Sequence, residues 1–268
     1  MILINWKTTT MKIISFAVKK GGVGKTTLCK NVAYKLALDG SKILLIDLDP
    51  QATLSTIFSN NNYNYKKNII PLIINPNLIT VDNIIQSTKY KNIDIIIGGE
   101  EINSTTTLIN TFYKNEKEKY LFADLIYEYN EEIFDSYDYV LIDYPPTIQE
   151  LGLSFLMLSD LIIVPLTDDG GCYKGVLDLK NTLNHISKII NKEPPNIKIL
   201  LNNVKNNDVT KTILEWLKND NLLKYLLKFE IKHSDTFSKN TVKLDTIWTN
   251  STYWRQKKAY EELIKEIK

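Results

Sequence analysis

A glycine-rich loop that carries two lysines and two threonines is the part of this sequence best equipped for chemistry. It follows an apolar run and precedes a helical pattern, and it reads Lys20-Gly21-Gly22-Val23-Gly24-Lys25-Thr26-Thr27. Glycines let a backbone approach an anion closely, and the N–H groups at the start of a helix point at that anion. The loop therefore predicts a phosphate-binding site of the P-loop kind.

The residues of the loop suggest separate roles toward a nucleotide. Lys25 would reach the β- and γ-phosphates as a positive charge, and the Thr26 hydroxyl would be a direct Mg²⁺ ligand. Thr27 is expected at the α-phosphate. The general pattern G-x-x-x-x-G-K-[ST] has glycine where this chain has Lys19, so the loop is a variant of the usual form. We expect residues 20 to 27 to bind ATP, with Mg²⁺ as cofactor.

Two further segments place carboxylates at the ends of apolar strands. The first is Asp47-Leu48-Asp49-Pro50-Gln51, and the second is Tyr139-Val140-Leu141-Ile142-Asp143-Tyr144-Pro145-Pro146. With the loop, they resemble the ParA/MinD superfamily of ATPases. K-G-G-x-G-K-T-T is its deviant Walker A signature, D-x-D-P-Q its switch I, and D-x-P-P its switch II. The resemblance covers most of residues 11 to 201, and it is nearest to the small ParA/Soj-type partition ATPases.

The resemblance implies roles for four residues beyond the phosphate contacts. Asp49 would orient the attacking water, and it would also meet Mg²⁺ through water. Asp143 would hold a Mg²⁺-bound water. Lys20 is the signature lysine, which reaches across a nucleotide-sandwich dimer to the partner's phosphates. Asn202 stands where relatives use an asparagine to read adenine, although a simple turn residue after a strand would look the same.

The resemblance also implies a function. A small partition ATPase would dimerise on ATP, bind double-stranded DNA non-specifically on the nucleoid, and move plasmid or chromosome cargo. A ParB-like partner would stimulate an otherwise slow hydrolysis. Two alternatives remain open: a MinD-like positioning ATPase held on membrane by residues 254 to 267, and a metabolic enzyme such as a dethiobiotin synthetase or cobyrinic acid amidase.

Apolar runs and helical patterns alternate along the chain, which predicts an α/β fold with a mostly parallel twisted sheet flanked by helices on both faces. The expected strands are Lys12 to Val18, Lys42 to Leu48, Ile93 to Ile97, Tyr139 to Ile142, Leu161 to Leu166, Ile197 to Leu201 and Lys228 to Ile231. One expected helix directly follows the glycine-rich loop. The others span Glu150 to Leu158, Tyr173 to Ile190, Val209 to Leu217 and Trp254 to Ile267. Residues 60 to 68 are expected to form a loop. Residues 1 to 10 read as a peripheral extension and residues 11 to 268 as one ATPase domain.

Charge is unevenly distributed along the 268 residues, although the net charge is only +2. Residues 1 to 171 carry 15 Lys and 20 acids, whereas residues 172 to 268 carry 18 Lys plus Arg and 11 acids. A solvated lysine surface or a DNA-binding face would both give this asymmetry. The candidate DNA contacts are Lys205, Lys211, Lys232, Lys239, Lys243, Arg255, Lys257 and Lys258. Two cysteines and no apolar run of membrane-spanning length favour a cytoplasmic protein without membrane association.

Overall fold

The computed structural model describes residues 11–60, 62–205, 207–234, 246–249 and 251–268. Its centre is an eight-stranded sheet in the order β3-β4-β2-β5-β1-β6-β7-β8. The strands are β1 (Lys12–Phe16), β2 (Ile43–Asp47), β3 (Gln86–Ser87), β4 (Ile93–Ile96), β5 (Tyr139–Asp143), β6 (Leu161–Leu166), β7 (Asn196–Val204) and β8 (Leu226–Lys232). All neighbours pair in parallel except β3 with β4, which is antiparallel.

Helices cover the sheet. In the described residues they are α1 (Lys25–Leu38), α2 (Thr53–Phe58), α3 (Ile70–Ile74), α4 (Thr105–Phe112), α5 (Glu116–Tyr120), α6 (Phe122–Tyr129), α7 (Glu131–Phe134), α8 (Glu150–Leu158), α9 (Gly170–Ile190), α10 (Asp208–Asn219) and α11 (Trp254–Ile267). Successive strand residues face opposite layers, so Ile13 joins one buried cluster and Ile14 the other. The sheet is therefore packed on both faces, as its continuous apolar strands require.

The order of the strands determines where the sheet can bind a ligand. The chain leaves β1 through α1 and enters β2, which pairs with β5 and not with β1 itself. From β1 the sheet also grows the other way, through β6. The carboxyl ends of β1, β2 and β5 therefore lie side by side at a point where the strand order reverses, which is the usual ligand position in open α/β sheets.

The expected fold class is confirmed, and each of the seven expected strands and the longer expected helices is present. Residues 60 to 68, of which 61 lies outside the described set, form no regular element. Several boundaries differ from the expected ones by one or more residues, and two of these differences have a clear physical cause. The helix expected from Tyr173 begins at Gly170, because the Asp169 side chain caps it by accepting from the Gly171 N–H. The strand expected to end at Leu201 continues to Val204, because β8 extends the pairing.

The C-terminal helix α11 packs its apolar stripe into the core. Tyr260, Leu263, Ile264 and Ile267 are all buried, and the helix contacts α1 and β8. Within the part of the chain that the structure describes, none of the helices combines the length and hydropathy needed to cross a bilayer.

Candidate nucleotide-binding site

The phosphate loop lies between the end of β1 and the start of α1, as the sequence predicts. Two of its glycines have backbone conformations that side chains disfavour: Gly22 has φ of 74° and Gly24 has φ of 91°. A Cβ on Gly24 would also lie 2.6 Å from the Asn202 Nδ2 atom. Backbone geometry and lack of space therefore both require glycine at position 24.

Lys25, the first residue of α1, points into the loop. Its side chain is buried, with 6% relative exposure, and its Nζ atom donates to the Lys20 carbonyl at 2.8 Å. Burial lowers the pKa of Lys25, against the opposing influence of Asp143 and Asp49. The ammonium group is therefore held where a phosphate bound in the loop would meet it.

Asp143, at the end of β5, is fully buried, and neither of its carboxylate oxygens has a hydrogen-bond partner among the described residues. Burial, and next the neighbouring Asp47, raises the pKa of Asp143 well above its usual range, although the nearby Thr26 hydroxyl and Lys25 act in the opposite direction. A buried carboxylate without partners is costly, and the water shell of Mg²⁺ would supply the missing donors. The residues present therefore fit the expected cation.

Sequence reasoning did not single out Asp47, which the structure places in register with Asp143 on the adjoining strand. Burial raises the pKa of Asp47 to about 6, although hydrogen bonds from Ser55 hold it down. Its Oδ1 atom accepts from the Asp49 N–H at 3.1 Å. The D-x-D segment could have indicated Asp47, because Asp47 is its first acid. The Asp47 side chain stabilises the loop that follows β2.

Asp49 lies in that loop, and its side chain is partly exposed at the same edge of the sheet. Its Oδ1 atom accepts from the Gln51 N–H at 2.9 Å. The negative charge of Asp49 raises the pKa values of both Lys25 and Asp143, which places it in the same electrostatic environment. The structure thus brings Lys25, Asp49 and Asp143 into one neighbourhood, and the roles that the sequence assigns to them stay predictions.

Lys20, unlike Lys25, is partly exposed to solvent. Its side chain keeps 38% relative exposure, and its Nζ atom lies 3.1 Å from the Asp169 Oδ2 atom. The hydrogen bond from Lys20 lowers the pKa of Asp169. Asp169 is a second residue that sequence reasoning missed, because its proximity depends on how α9 packs beside the loop.

Asn202 lies within β7 and not in a turn after it, so the turn interpretation is wrong. Its Nδ2 atom donates to the Val23 carbonyl at 2.8 Å, and its side chain is buried. Asn202 belongs to the strand because β7 continues to pair with β8 at this point, where Asn202 lies opposite Ile231. Asn202 therefore supports the phosphate loop, and the structure leaves its predicted contact with adenine untested.

The contacts of the Lys19 side chain show how a lysine is accommodated where the usual loop has its first glycine. Its Nζ atom donates to the Thr182 hydroxyl at 2.8 Å, away from the loop interior. A Cβ on Gly175 would lie 3.0 Å from the Lys19 carbonyl, so α9 packs closely on this position. The hydrogen bond from Lys19 thus connects α9 to the segment that follows β1.

The candidate DNA contacts that the structure describes lie on several elements. Lys205 follows β7, Lys211 lies on α10, and Lys232 ends β8, while the first turns of α11 carry Arg255, Lys257 and Lys258. Lys239 and Lys243 lie outside the described residues. Lys257 is half-buried and donates to the Trp248 carbonyl at 3.2 Å, whereas Arg255 and Lys258 are exposed.

The first turns of α11 lie toward the phosphate-loop end of the sheet. The Tyr260 hydroxyl reaches the Thr27 carbonyl at 3.5 Å, whereas Lys12, at the opposite end of β1, donates to the carbonyl of Ile267 at 3.0 Å. The carboxyl ends of β7 and β8 share that end of the sheet, since both strands run parallel to β1 through β6. The described basic candidates are therefore displayed on the same side of the molecule as the nucleotide site.

Comparison with known proteins agrees with this geometry. Residues 11–199 match a protein family described as an AAA domain. A ParA family protein of Mycoplasma genitalium is 30% identical over 242 residues, covering 87% of this chain and 83% of that protein. The sporulation initiation inhibitor protein Soj of Bacillus subtilis is 29% identical over 187 residues, or 68% of each chain. Matched regions span from 54% to 83% of the curated relatives' own lengths.

A solved structure extends the similarity beyond the region of the family match. A plasmid partition protein of Borrelia burgdorferi, bound to AMPPNP, superimposes with a TM-score of 0.68 at 26% identity, covering 96% of this chain and 97% of that one. The extent of the family match and the identity to the Mycoplasma protein show that the chain belongs to the ParA family of P-loop ATPases.

Proposed function

We propose that this protein is a partition ATPase that dimerises around ATP, binds double-stranded DNA without sequence preference, and moves plasmid or chromosome cargo. The observation that carries the proposal is the different environment of two lysines in one loop. Lys25 is buried toward the loop interior, while Lys20 lies at its exposed rim. A lysine at the rim suits phosphates held by a second copy of the chain.

Hydrolysis needs mainly position and charge, since phosphoryl transfer leaves little covalent chemistry to the protein. Thr26 would ligate Mg²⁺ directly, and Asp143 would hold water in its shell. Bound Mg²⁺ supplies positive charge to the phosphate oxygens. Asp49 would orient the attacking water, Thr27 would contact the α-phosphate, and Asn202 would face the adenine. Turnover is expected to be slow until a ParB-like partner completes the site.

Lys20 would have to leave Asp169 to reach a partner's phosphates. The ion pair is exposed on both sides, with relative exposures of 38% and 47%, so solvent screens it and its rupture costs little. A phosphate, with greater charge and less water around it, is the stronger partner for the ammonium group. ATP-driven dimerisation is therefore compatible with the pair seen in the single chain.

The DNA-binding part of the proposal rests on the basic residues at the nucleotide end of the molecule. Among the described residues each subunit offers few exposed cations there, which gives weak binding alone because non-specific affinity comes from neutralised phosphates. Two linked subunits on one duplex raise the effective affinity by roughly 10²-fold or more. ATP would thus control DNA binding, in the cytoplasm and on the nucleoid.

The membrane-bound alternative has less support. An amphipathic anchor needs an apolar stripe free to enter the bilayer interface. In α11 that stripe is in the core, with Tyr260, Leu263 and Ile267 each at most 1% exposed. Freeing the helix would therefore expose side chains that now stabilise the fold.

DNA binding supplies the test. We expect the wild type to bind duplexes of unrelated sequence with Mg²⁺-ATP, and to lose roughly 10²-fold in affinity with ADP. Replacing Arg255 and Lys258 together by Ala should reduce the slope of log affinity against log salt by up to about two units per subunit, because each contacted phosphate releases about one counterion. Fluorescence anisotropy across a salt series measures both effects.

The matched control removes the same charge from the other end of α11, through Lys265→Ala with Lys268→Ala. Its slope should remain that of the wild type. Equal effects of the two double variants would mean that the DNA face lies elsewhere. Binding that does not change with nucleotide or salt would overturn the proposed mechanism, and ATP-dependent sedimentation with anionic liposomes, without DNA binding, would favour the membrane alternative.

A further inference from the structure

The loop that carries Asp49 is held by a buried carboxylate that accepts three hydrogen bonds. The Asp47 Oδ1 atom accepts from the Asp49 N–H at 3.1 Å. Its Oδ2 atom accepts from the Ser55 N–H at 2.9 Å and from the Ser55 hydroxyl at 2.7 Å. Asp47 thus connects the end of β2, the Asp49 loop and the first turn of α2.

The Ser55 hydroxyl extends this connection to the neighbouring strand. While it donates to Asp47, its oxygen accepts from the Gly98 N–H at 3.0 Å, and Gly98 lies two residues after the end of β4. Donors and acceptors therefore run in one direction, from Gly98 through Ser55 to Asp47. Asp47 and Ser55 are only 1% and 2% exposed, so water cannot easily replace a lost partner.

Gly98 also contacts the loop directly. A Cβ at this position would lie 2.6 Å from the Asp49 carbonyl oxygen, 2.9 Å from the Asp47 Cγ atom and 3.0 Å from the Asp47 carbonyl oxygen. Two of these neighbours are backbone atoms and the third belongs to a buried side chain, so none can move aside cheaply. Position 98 therefore requires glycine for lack of space.

We propose that Ser55 and Gly98 are positioning residues for ATP hydrolysis, which fix the place of Asp49 by holding its loop against the end of β4. The inference rests on the proposed role of Asp49 in orienting water. Ser55 acts through Asp47, and Gly98 acts both through Ser55 and by close backbone contact. Neither residue belongs to the phosphate loop, so nucleotide binding is expected to survive their replacement.

Replacement should affect turnover more than binding. Ser55→Ala leaves the Gly98 N–H without its partner and takes one donor from Asp47, so the Asp49 loop gains freedom. Gly98→Ala forces the loop to move by several tenths of an ångström or more. Because misplacement of a catalytic group by about 1 Å can cost roughly 10²-fold in rate, we expect kcat to fall at least about ten-fold in each variant. KM and ATP affinity should change less than about three-fold if the phosphate loop is undisturbed.

Each variant has a neighbour that serves as its control. Gly99→Ala adds the same methyl group one residue later, where it would meet only the exposed Glu101 carboxylate. Thr56→Ala removes a hydroxyl that donates to the Ala52 carbonyl on the exposed side of α2. Both controls should keep wild-type kcat. A fall in kcat for the controls equal to that in Ser55→Ala and Gly98→Ala would show a general sensitivity of this region and would overturn the inference.

A double-mutant cycle tests whether Ser55 acts through Asp49. In single-turnover hydrolysis of radiolabelled ATP, Ser55→Ala should slow the wild type but not slow Asp49→Ala further. An equal additional loss in both backgrounds would contradict the inference. If Asp49→Ala hydrolyses like the wild type, the proposed role of Asp49 itself is wrong. If Asp49→Ala is slow but Ser55→Ala and Gly98→Ala are normal, only the positioning inference is wrong. Should Gly98→Ala fail to fold, the Ser55 cycle decides alone.

Discussion

Lys25→Ala should lower the affinity for Mg²⁺-ATP by roughly 10²-fold or more, the value of two charge-assisted hydrogen bonds to the phosphates at about 1.5–3 kcal/mol each. The effect is large because Lys25 is buried at the first position of α1, where the surroundings screen its charge less than water would. Isothermal titration calorimetry with a non-hydrolysed ATP analogue measures the change.

Lys19→Ala is the matched control for that experiment. It removes the same charge from the adjoining segment, but its ammonium group bonds the Thr182 hydroxyl and does not enter the loop. Its ATP affinity should stay within about three-fold of the wild type, because the Lys19 ammonium group is engaged with Thr182 and solvent partly screens its charge. Similar losses in the two variants would indicate a general charge effect. Wild-type affinity in Lys25→Ala would contradict the phosphate-loop assignment.

The second large effect is expected from Asp49→Ala, which should bind ATP normally but hydrolyse it at least about 10²-fold more slowly, the usual contribution of a group that orients or deprotonates a nucleophile. Binding should survive because Asp49 lies beside the phosphate loop and not within it. Phosphate release under saturating ATP, measured together with nucleotide affinity, separates the two quantities.

Asp49→Asn is the informative companion variant. The amide keeps the shape of the side chain and an oxygen that can accept from the Gln51 N–H, so the loop should hold its conformation. It lacks the negative charge. Loss of turnover in both variants would assign the effect to the carboxylate, whereas loss in Asp49→Ala alone would assign it to the loop. Normal turnover in both would remove Asp49 from the mechanism.

The fold and the centre of the site could be predicted because their signals are local. The strands of the sheet are continuous apolar runs, and the phosphate loop needs glycines whose conformations few other residues adopt. Asp49 and Asp143 could be placed together because each ends or follows a parallel strand, and such strand ends share one edge of the sheet.

Other features depend on contacts between distant parts of the chain. The helices between residues 53 and 134 are short, from four to eight residues, and isolated helices of that length are unstable in water. Packing holds them, as when the Val81 N–H donates to the buried Asn130 side chain. The ion pair of Lys20 with Asp169 and the hydrogen bond between Gly98 and Ser55 likewise join residues far apart in sequence. No local sequence pattern predicts either contact.

The most direct test of the account is the mass of the protein in solution, measured by sedimentation with Mg²⁺-ATP and with ADP. Asp49→Ala, which should retain its ATP, is predicted to sediment with ATP near twice the chain mass of 30.9 kDa, and with ADP as the single chain. Adding Lys20→Ala to that variant should restore the single-chain mass in ATP, although the nucleotide stays bound. A single chain in both nucleotides, or a dimer that persists without Lys20, would contradict an ATP-driven dimer joined across its phosphates.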